Sequence, residues 1–302
     1  MPTAYKEERP VAIARNRISE KWVEGILLIA TSVSAVTIFS ILFLLVYFSS
    51  PLFTEGRIYE IFSLQWQPFG GKYGILPMCA ASLCLSLSAL VLAFPPAIGV
   101  CCLIYALAPR RVAQFFLSLI RFMTSIPTVV YGFVSVFLLV PRVRDCFDGG
   151  SGFSLLTATL TLSLLILPTI VLVFHARLEQ LDPTLRLTSE AMGFTAVQQV
   201  RHVFIPAAGE GLVIAAVLGF ARAIGDTLIS LMLAGNAPQL PHSLFASVRT
   251  LTSHIALVLA TDSRSMAYQS VFASGLILFL LAGAVNLLIR KAAKKSGRSP
   301  HA

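Results

Sequence analysis

The sequence predicts an all-α, polytopic membrane protein with about six transmembrane helices, and three observations predict it. First, the 302 residues are 56% hydrophobic and only 12% charged, against about 25% charged in soluble domains; mean hydropathy is +0.82. Second, the apolar residues gather into stretches that match the roughly 20 residues needed to cross the hydrocarbon core. Third, Lys and Arg fall between those stretches rather than on one face. The net charge of +9 is therefore read as membrane topology, and no nucleic-acid partner is expected.

The expected spans run over Trp22–Phe48, Leu76–Leu107, Gln114–Val140, Phe153–Phe174, Gly211–Leu233 and Ser265–Leu288. The first follows about twenty polar residues and lacks a small-residue cleavage site, so it reads as a retained helix. The second is long enough to be tilted, kinked or partly outside the bilayer. Pro95–Pro96 within it, and Pro127 and Pro168 in the next two, predict bends, because proline removes a helical hydrogen bond.

Charge sets the orientation. Fifteen Lys and Arg lie on one side: Lys6, Arg9, Arg15, Arg17 and Lys21, the pair Arg110 and Arg111, then Arg177, Arg186 and Arg201, and the tail with Arg290, Lys291, Lys294, Lys295 and Arg298. Six lie on the other: Arg57, Lys72, Arg142, Arg144, Arg249 and Arg264. Both termini of this multi-pass membrane protein are expected in the cytoplasm. The expected organisation is a cytoplasmic segment (1–21), a first helix with its outer loop (22–74), a transmembrane domain (75–290) and a basic tail (291–302).

Four cysteines, Cys79, Cys84, Cys101 and Cys102, lie in the second span without metal-ligand spacing, and Cys146 stands alone in an outer loop. They read as small apolar side chains plus one stray thiol. His175, His202, His242 and His254 read as ordinary polar residues. No G-x-x-x-x-G-K-[ST] phosphate loop is present, since Gly70-Gly71-Lys72 is followed by Tyr73. The chain is expected to bind no cofactor or metal and not to be an enzyme. Any ATP would be hydrolysed by partner subunits.

Two features carry functional expectations. Arg222 and Asp226 stand four residues apart in the apolar run Gly211–Ser230. On a continuous helix they share a face with Gly219 and Ser230 and can neutralise each other. An ionised group at that depth costs at least about 2.5 kcal/mol, so the pair either locks two helices as an ion pair or lines a wet pathway. The second feature is the inside loop of about 177–210. Asp182-Pro183-Thr184 starts a helix. Ala191, Gly193 and Ala196 leave backbone bare, and Val197, Val200, Val203 and Phe204 form an apolar stripe. Such a helix either lies on the membrane surface or docks a cytoplasmic partner.

Gly193, followed by nine residues and Val203-Phe204-Ile205-Pro206, resembles the E-A-A-x3-G-x9-I-x-L-P loop of bacterial ABC-importer (type I) permeases. Other segments resemble the phosphate-specific, PstC-type permeases. Ser125-Ile-Pro-Thr-Val-Val-Tyr-Gly132-Phe is similar to G-I-P-S-V-V-Y-G-F, and Arg222-Ala-Ile-Gly-Asp-Thr227 to R-A-L-G-E-T. Leu231-Met-Leu-Ala-Gly-Asn236 is similar to L-M-V-A-G-N, and Leu107-Ala-Pro-Arg-Arg111 to L-A-P-R-R. Val248-Arg-Thr-Leu-Thr252 matches the loop before the last span. The PstA type shares R-A-x-G-E-T, but the A-G-N and R-T-L-T pieces favour PstC.

The resemblance implies a permease subunit of an ATP-driven phosphate importer. Its partners would be a second, PstA-like permease, two PstB-like ATP-binding subunits and an extracytoplasmic phosphate-binding protein, in membrane lipid. Arg222, Asp226 and Arg121 would line the pathway. Glu190, Ala191, Gly193, Val203, Ile205 and Pro206 would contact the ATPase. Three departures stand out: Leu187 in place of the first signature Glu, with Glu190 off register; Asp226 in place of Glu; and Arg121 where the family often has Glu. A permease for another oxyanion, or a membrane scaffold or sensor, are the alternatives.

Overall fold

In the computed structural model, residues 17–54, 58–147, 150–181, 183–259 and 266–296 are described. Residues 1–16, Arg57, Asp182, Arg264 and the last six residues of the basic tail lie outside them. The chain divides into two compact units, Met1–Leu44 and Leu45–Ala302.

Helix α1 (Arg17–Thr54) supplies the described part of the first unit and enters the second. Within the first unit its apolar side chains are exposed, Trp22, Ile29 and Phe39 among them. Three of its hydroxyls are turned onto its own backbone: Thr31 donates to the Leu27 carbonyl at 2.8 Å, Ser34 to the Ala30 carbonyl at 3.0 Å and Thr37 to the Val33 carbonyl at 2.9 Å. A helix that turns hydroxyls onto its own backbone while exposing hydrocarbon suits lipid as a solvent. Trp22–Pro51 is long and apolar enough to cross a membrane.

The second unit opens with the end of α1, where Phe48 stacks on Phe272 at 4.7 Å. Next come the single turn α2 (Ile58–Ile61) and a two-stranded antiparallel ribbon, β1 (Trp66–Gln67) and β2 (Lys72–Tyr73), with Trp66 opposite Tyr73. Helix α3 (Leu76–Cys102) continues into a π-helical turn at Leu103–Leu107. Ala81, Leu85, Ala89, Ala93, Ala97 and Cys101, four residues apart, form its buried edge. Small residues let a neighbour approach closely, which drives helix association where lipid removes the hydrophobic incentive. That neighbour is α6 (Leu155–Glu179), presenting Ala158, Leu162, Ile166, Ile170 and Phe174. Ser88 and Thr159 hydrogen-bond across the seam at 2.9 Å.

Between these helices lie α4 (Arg110–Ser125) and α5 (Thr128–Cys146), bent by 94° at Ile126–Pro127. After α6 come α7 (Pro183–Ala191), α8 (Ala196–Gln199), a π-helical turn at Val200–Phe204 and α9 (Ile205–Ala207). Helix α10 (Gly209–Ile224) follows a 72° bend and is succeeded by α11 (Leu228–Leu233), α12 (Leu251–Val258) and α13 (Met266–Ser296). Gly219 lets α10 settle on Ile170 of α6, where a Cβ would come within 2.8 Å.

Four described helices pass for membrane spans, or six if each bent pair counts as one. The structure breaks two of the expected spans, the first at the proline that predicted a bend. Gln114–Val140 is not one helix: Pro127 cannot donate to the preceding turn, and the chain breaks sharply. Gly211–Leu233 is not continuous either, because α10 stops at Gly225. Pro95–Pro96 and Pro168, in contrast, sit inside uninterrupted helices.

Candidate functional site: paired helix breaks between two loops

Helix α10 ends with the Gly225 amide bonded to the Ala221 carbonyl. Asp226 then starts α11: its Oδ2 accepts from the Ile229 amide at 2.8 Å, satisfying an otherwise orphaned donor. The break corrects the expected ion pair. Arg222 is an exposed side chain at the end of α10, and it forms no ion pair with Asp226 among the described residues. With the helix interrupted, i and i+4 no longer share a face. Gly219 and Ser230 do not form one stripe either: Gly219 packs on Ile170, and Ser230 faces a hydroxyl cluster.

That cluster holds the break. The Thr252 hydroxyl donates to the Asp226 carbonyl at 3.2 Å and lies 3.3 Å from Ser230 Oγ and 3.0 Å from Thr250 Oγ1. Thr250 and Ser253 form a capping box at the start of α12, and the Leu251 amide donates to Ser82 Oγ of α3 at 2.8 Å. Backbone groups freed by the interruption are thus met by side chains of distant elements, as irregular backbone at membrane depth requires.

The second break adjoins the first. Helix α5 packs on α11 so closely that a Cβ at Gly132 would lie 2.7 Å from Met232 Sδ. The Tyr131 hydroxyl donates to the Met123 carbonyl at 3.0 Å, tying α5 back to the last turn of α4. The Arg222 charge acts on both Tyr131 and Asp226. Before this elbow, α4 shows three faces. Ala113, Phe116, Leu117 and Ile120 turn to the core, Val112, Phe115, Leu119 and Phe122 stand exposed, and Arg110, Gln114, Ser118, Arg121 and Ser125 make a polar edge. Arg121 is exposed on that edge, four residues ahead of Ser125, where α4 ends. The structure therefore sets Arg222 and Asp226 around one break and Arg121 ahead of its neighbour.

At one end of α6 the loop 234–250 closes over the bundle. Gly235 and Asn236 are both left-handed, with φ of 84° and 61°. The Val248 amide donates to the Ala234 carbonyl at 2.8 Å. The Leu155 and Leu156 amides, orphans of the α6 N-terminus, donate to the Ala246 and Leu244 carbonyls at 2.9 and 2.7 Å. His254 of α12 is fully buried against Trp66, ring to ring at 4.4 Å, contrary to its reading as an ordinary polar residue. Burial holds its pKa at about 3.

At the other end of α6, α7 stops in a Schellman turn: the Phe194 amide donates to the Ser189 carbonyl and the Gly193 amide to the Glu190 carbonyl. Gly193 has φ of 78°, and a Cβ there would meet nothing within 4 Å. Ala191, Gly193, Ala196 and Pro206 are exposed, as is Glu190, paired with Arg186 at 3.2 Å. Leu187 is exposed too. The expected apolar stripe is divided: Val197 points outward, while Val200 and Phe204 are buried, Phe204 edge-on to Tyr105 at 5.2 Å. Val203 and Ile205 are half-buried. The bend before α10 falls at Ala208, two residues past Pro206.

Sequence reasoning missed Arg249 and Thr252 as parts of this arrangement. They entered it only inside a resembling segment, and nothing local marks their burial. Among the described residues, no group of three or more His, Cys, Asp or Glu is arranged for a metal.

Comparison with known proteins places this arrangement. A family model described as "Binding-protein-dependent transport system inner membrane component" matches residues 97–295. A Bacillus subtilis (strain 168) protein, "Probable ABC transporter permease protein YqgH", is 36% identical over 231 residues, 76% of this chain and 75% of that one. The "Phosphate transport system permease protein PstC" of Pasteurella multocida (strain Pm70) is 28% identical over 256 residues, 77% of this chain and 80% of its own. Among solved structures, a bacterial alginate ABC transporter in complex with its alginate pentasaccharide-bound periplasmic protein shares the fold. Its TM-score is 0.61 at 12% identity, over 93% of this chain and 97% of that one.

Proposed function

Since the chain belongs to the binding-protein-dependent transport system inner membrane component family, we propose that it is the phosphate-conducting permease subunit of an ATP-driven importer. One observation carries the substrate: the similarity to a phosphate transport permease runs over three quarters of the chain, through both helix breaks.

In this reading the subunit pairs with a second, PstA-like permease. Two PstB-like ATP-binding subunits bind below, and an extracytoplasmic phosphate-binding protein delivers the anion from above. The termini and the 177–210 loop face the cytoplasm, following the bias of Lys and Arg, and the tail 291–302 lies there too. This chain binds no cofactor; ATP is used by its partners. Arg222, exposed at the break, offers positive potential to the passing anion. Asp226 tempers it and fixes the start of α11. Arg121, ahead of the adjacent break, adds a second cation. Such a route attracts phosphate without holding it, since a paired or partly solvated cation binds more weakly than an isolated buried one.

Coupling runs through the exposed turn at Gly193. Ala191 and Gly193 leave room for a groove of the ATPase, with Glu190, Val203, Ile205 and Pro206 around them. Movement of that turn reaches α10 through the bend at Ala208 and is carried as rigid-body rocking.

The test is uptake of labelled phosphate into proteoliposomes holding the four kinds of subunit, with sulfate and molybdate as competitors. ATP-dependent uptake resisted by neither competitor is the expected result. Stronger competition by another oxyanion would reassign the cargo, and ATP hydrolysis without uptake of any oxyanion would point to a sensor. Arg222→Gln in an assembled complex should abolish uptake; wild-type uptake would return Arg222 to a purely structural role.

A further inference from the structure

Among the Lys and Arg side chains whose surroundings are described, Arg249 alone is not exposed. It stands in the loop 234–250, at the end of α6 opposite the Gly193 turn. Its Nε donates to the Asn236 carbonyl at 2.9 Å, which accounts for one of the five N–H donors of a guanidinium. No carboxylate pairs with it among the described residues. The exposed arginines Arg142 and Arg144 need no such explanation, since water solvates them; Arg144 in addition lies beside Asp145 at 3.3 Å.

Burying a cation without a counter-charge is costly, and nothing in the loop repays it. The Nε bond closes the loop, but a neutral donor would do that as well. The loop is built to fix the position of Arg249. Asn236 is held in the left-handed region with its Nδ2 donating to the Leu231 carbonyl at 2.7 Å. On the other flank, Thr250 caps α12 and touches Thr252, which bonds the Asp226 carbonyl. Arg249 is therefore one residue from the hydroxyl cluster that holds the break at Asp226. The electropositive half-buried fork and the break belong to one hydrogen-bonded unit.

We propose that Arg249 is a further binding residue of the translocation route: a half-buried cation at the mouth opposite the Gly193 turn that pairs transiently with the oxyanion before it reaches Arg222. The ligand class is a tetrahedral oxyanion, which two of the free Nη donors can hold in the bidentate manner of guanidinium. The proposal rests on the reading of the subunit as an oxyanion permease.

The experiment uses the complete transporter in proteoliposomes, with Arg249→Gln and Arg249→Lys beside wild type. Phosphate taken up per ATP hydrolysed is measured, together with the concentration of loaded binding protein that half-saturates ATP hydrolysis. Arg249→Gln should lower phosphate per ATP about tenfold, the usual worth of one charge-assisted hydrogen bond. Arg249→Lys, which keeps the charge but not the fork, should fall between wild type and Arg249→Gln, and half-saturation should be unchanged in both. An unchanged ratio in Arg249→Gln overturns the proposal. Equal loss in Gln and Lys overturns it too, by assigning the side chain to loop geometry. A raised half-saturation concentration overturns it in favour of a carboxylate on the binding protein. Should wild type carry sulfate or molybdate instead of phosphate, the phosphate reading fails, and the same variants measured on that oxyanion still decide the role of Arg249.

Discussion

Asp226 separates two tasks within one side chain, and substitution can divide them. Asp226→Asn keeps the acceptor for the Ile229 amide and removes the charge, so the thermal midpoint of the purified complex should hold while phosphate carried per ATP changes. Asp226→Ala removes the cap as well and should cost about 1 kcal/mol, read as a lower midpoint. His254 makes a second residue-scale prediction. Its pKa, held at about 3 by burial, lies below that of an exposed imidazole, so the unfolded chain takes up a proton that the folded chain refuses. Stability should therefore fall as pH drops from about 6.5 towards 3, and His254→Gln should flatten that acid limb in unfolding scans. Above pH 7 the two proteins should titrate alike.

The short elements depend on positions where a side chain would be in the way. Gly193 holds the left-handed residue that ends α7 and leaves open space beside it. Gly193→Ala should cost about 1 kcal/mol of local strain yet still allow co-purification of the ATPase. Gly193→Arg should abolish it by bulk, and retained co-purification would remove the turn from the docking surface. Gly132 is the counterpart on the inside. Gly132→Ile should push α5 off Met232 at a cost of about 1–3 kcal/mol, seen in the melting of the complex, whereas Gly132→Ala asks only that one flexible thioether move. The sequence made part of this legible. Gly193 and the Pro183 start of α7 could be read from turn chemistry, and Pro127 announced the α4–α5 elbow. The stop at Gly225 could not be read, because Gly-Asp-Thr lies within apolar residues that look continuous by periodicity. Asp226 and Ser230 contribute locally, but the break is completed by a hydroxyl from Thr252, 26 residues after Asp226, and no local pattern carries that.

At the scale of the whole molecule, the apolar stretches set the number of spans and their order, since hydropathy measures how much chain must lie in lipid. They did not set which spans are whole. Pro168 lies within the continuous helix α6 while Pro127 bends the chain by 94°, so a proline by itself does not mark a break. The same blindness hid Arg249: its charge was counted as topology, and only the folded loop showed that water is largely kept from it. Helix α6 carries the last consequence. With 25 residues it is about 37 Å long. Its first amides are clasped by the loop that holds Arg249, and its last residue, Glu179, precedes Gly193 by fourteen residues, with α7 between them. The loop 234–250 is thus no hinged flap but a collar fastened to the end of a beam. In the proposed importer a tilt of α6 is carried to that collar, so a spectroscopic label on the 240s should report the nucleotide state of the partner ATPase.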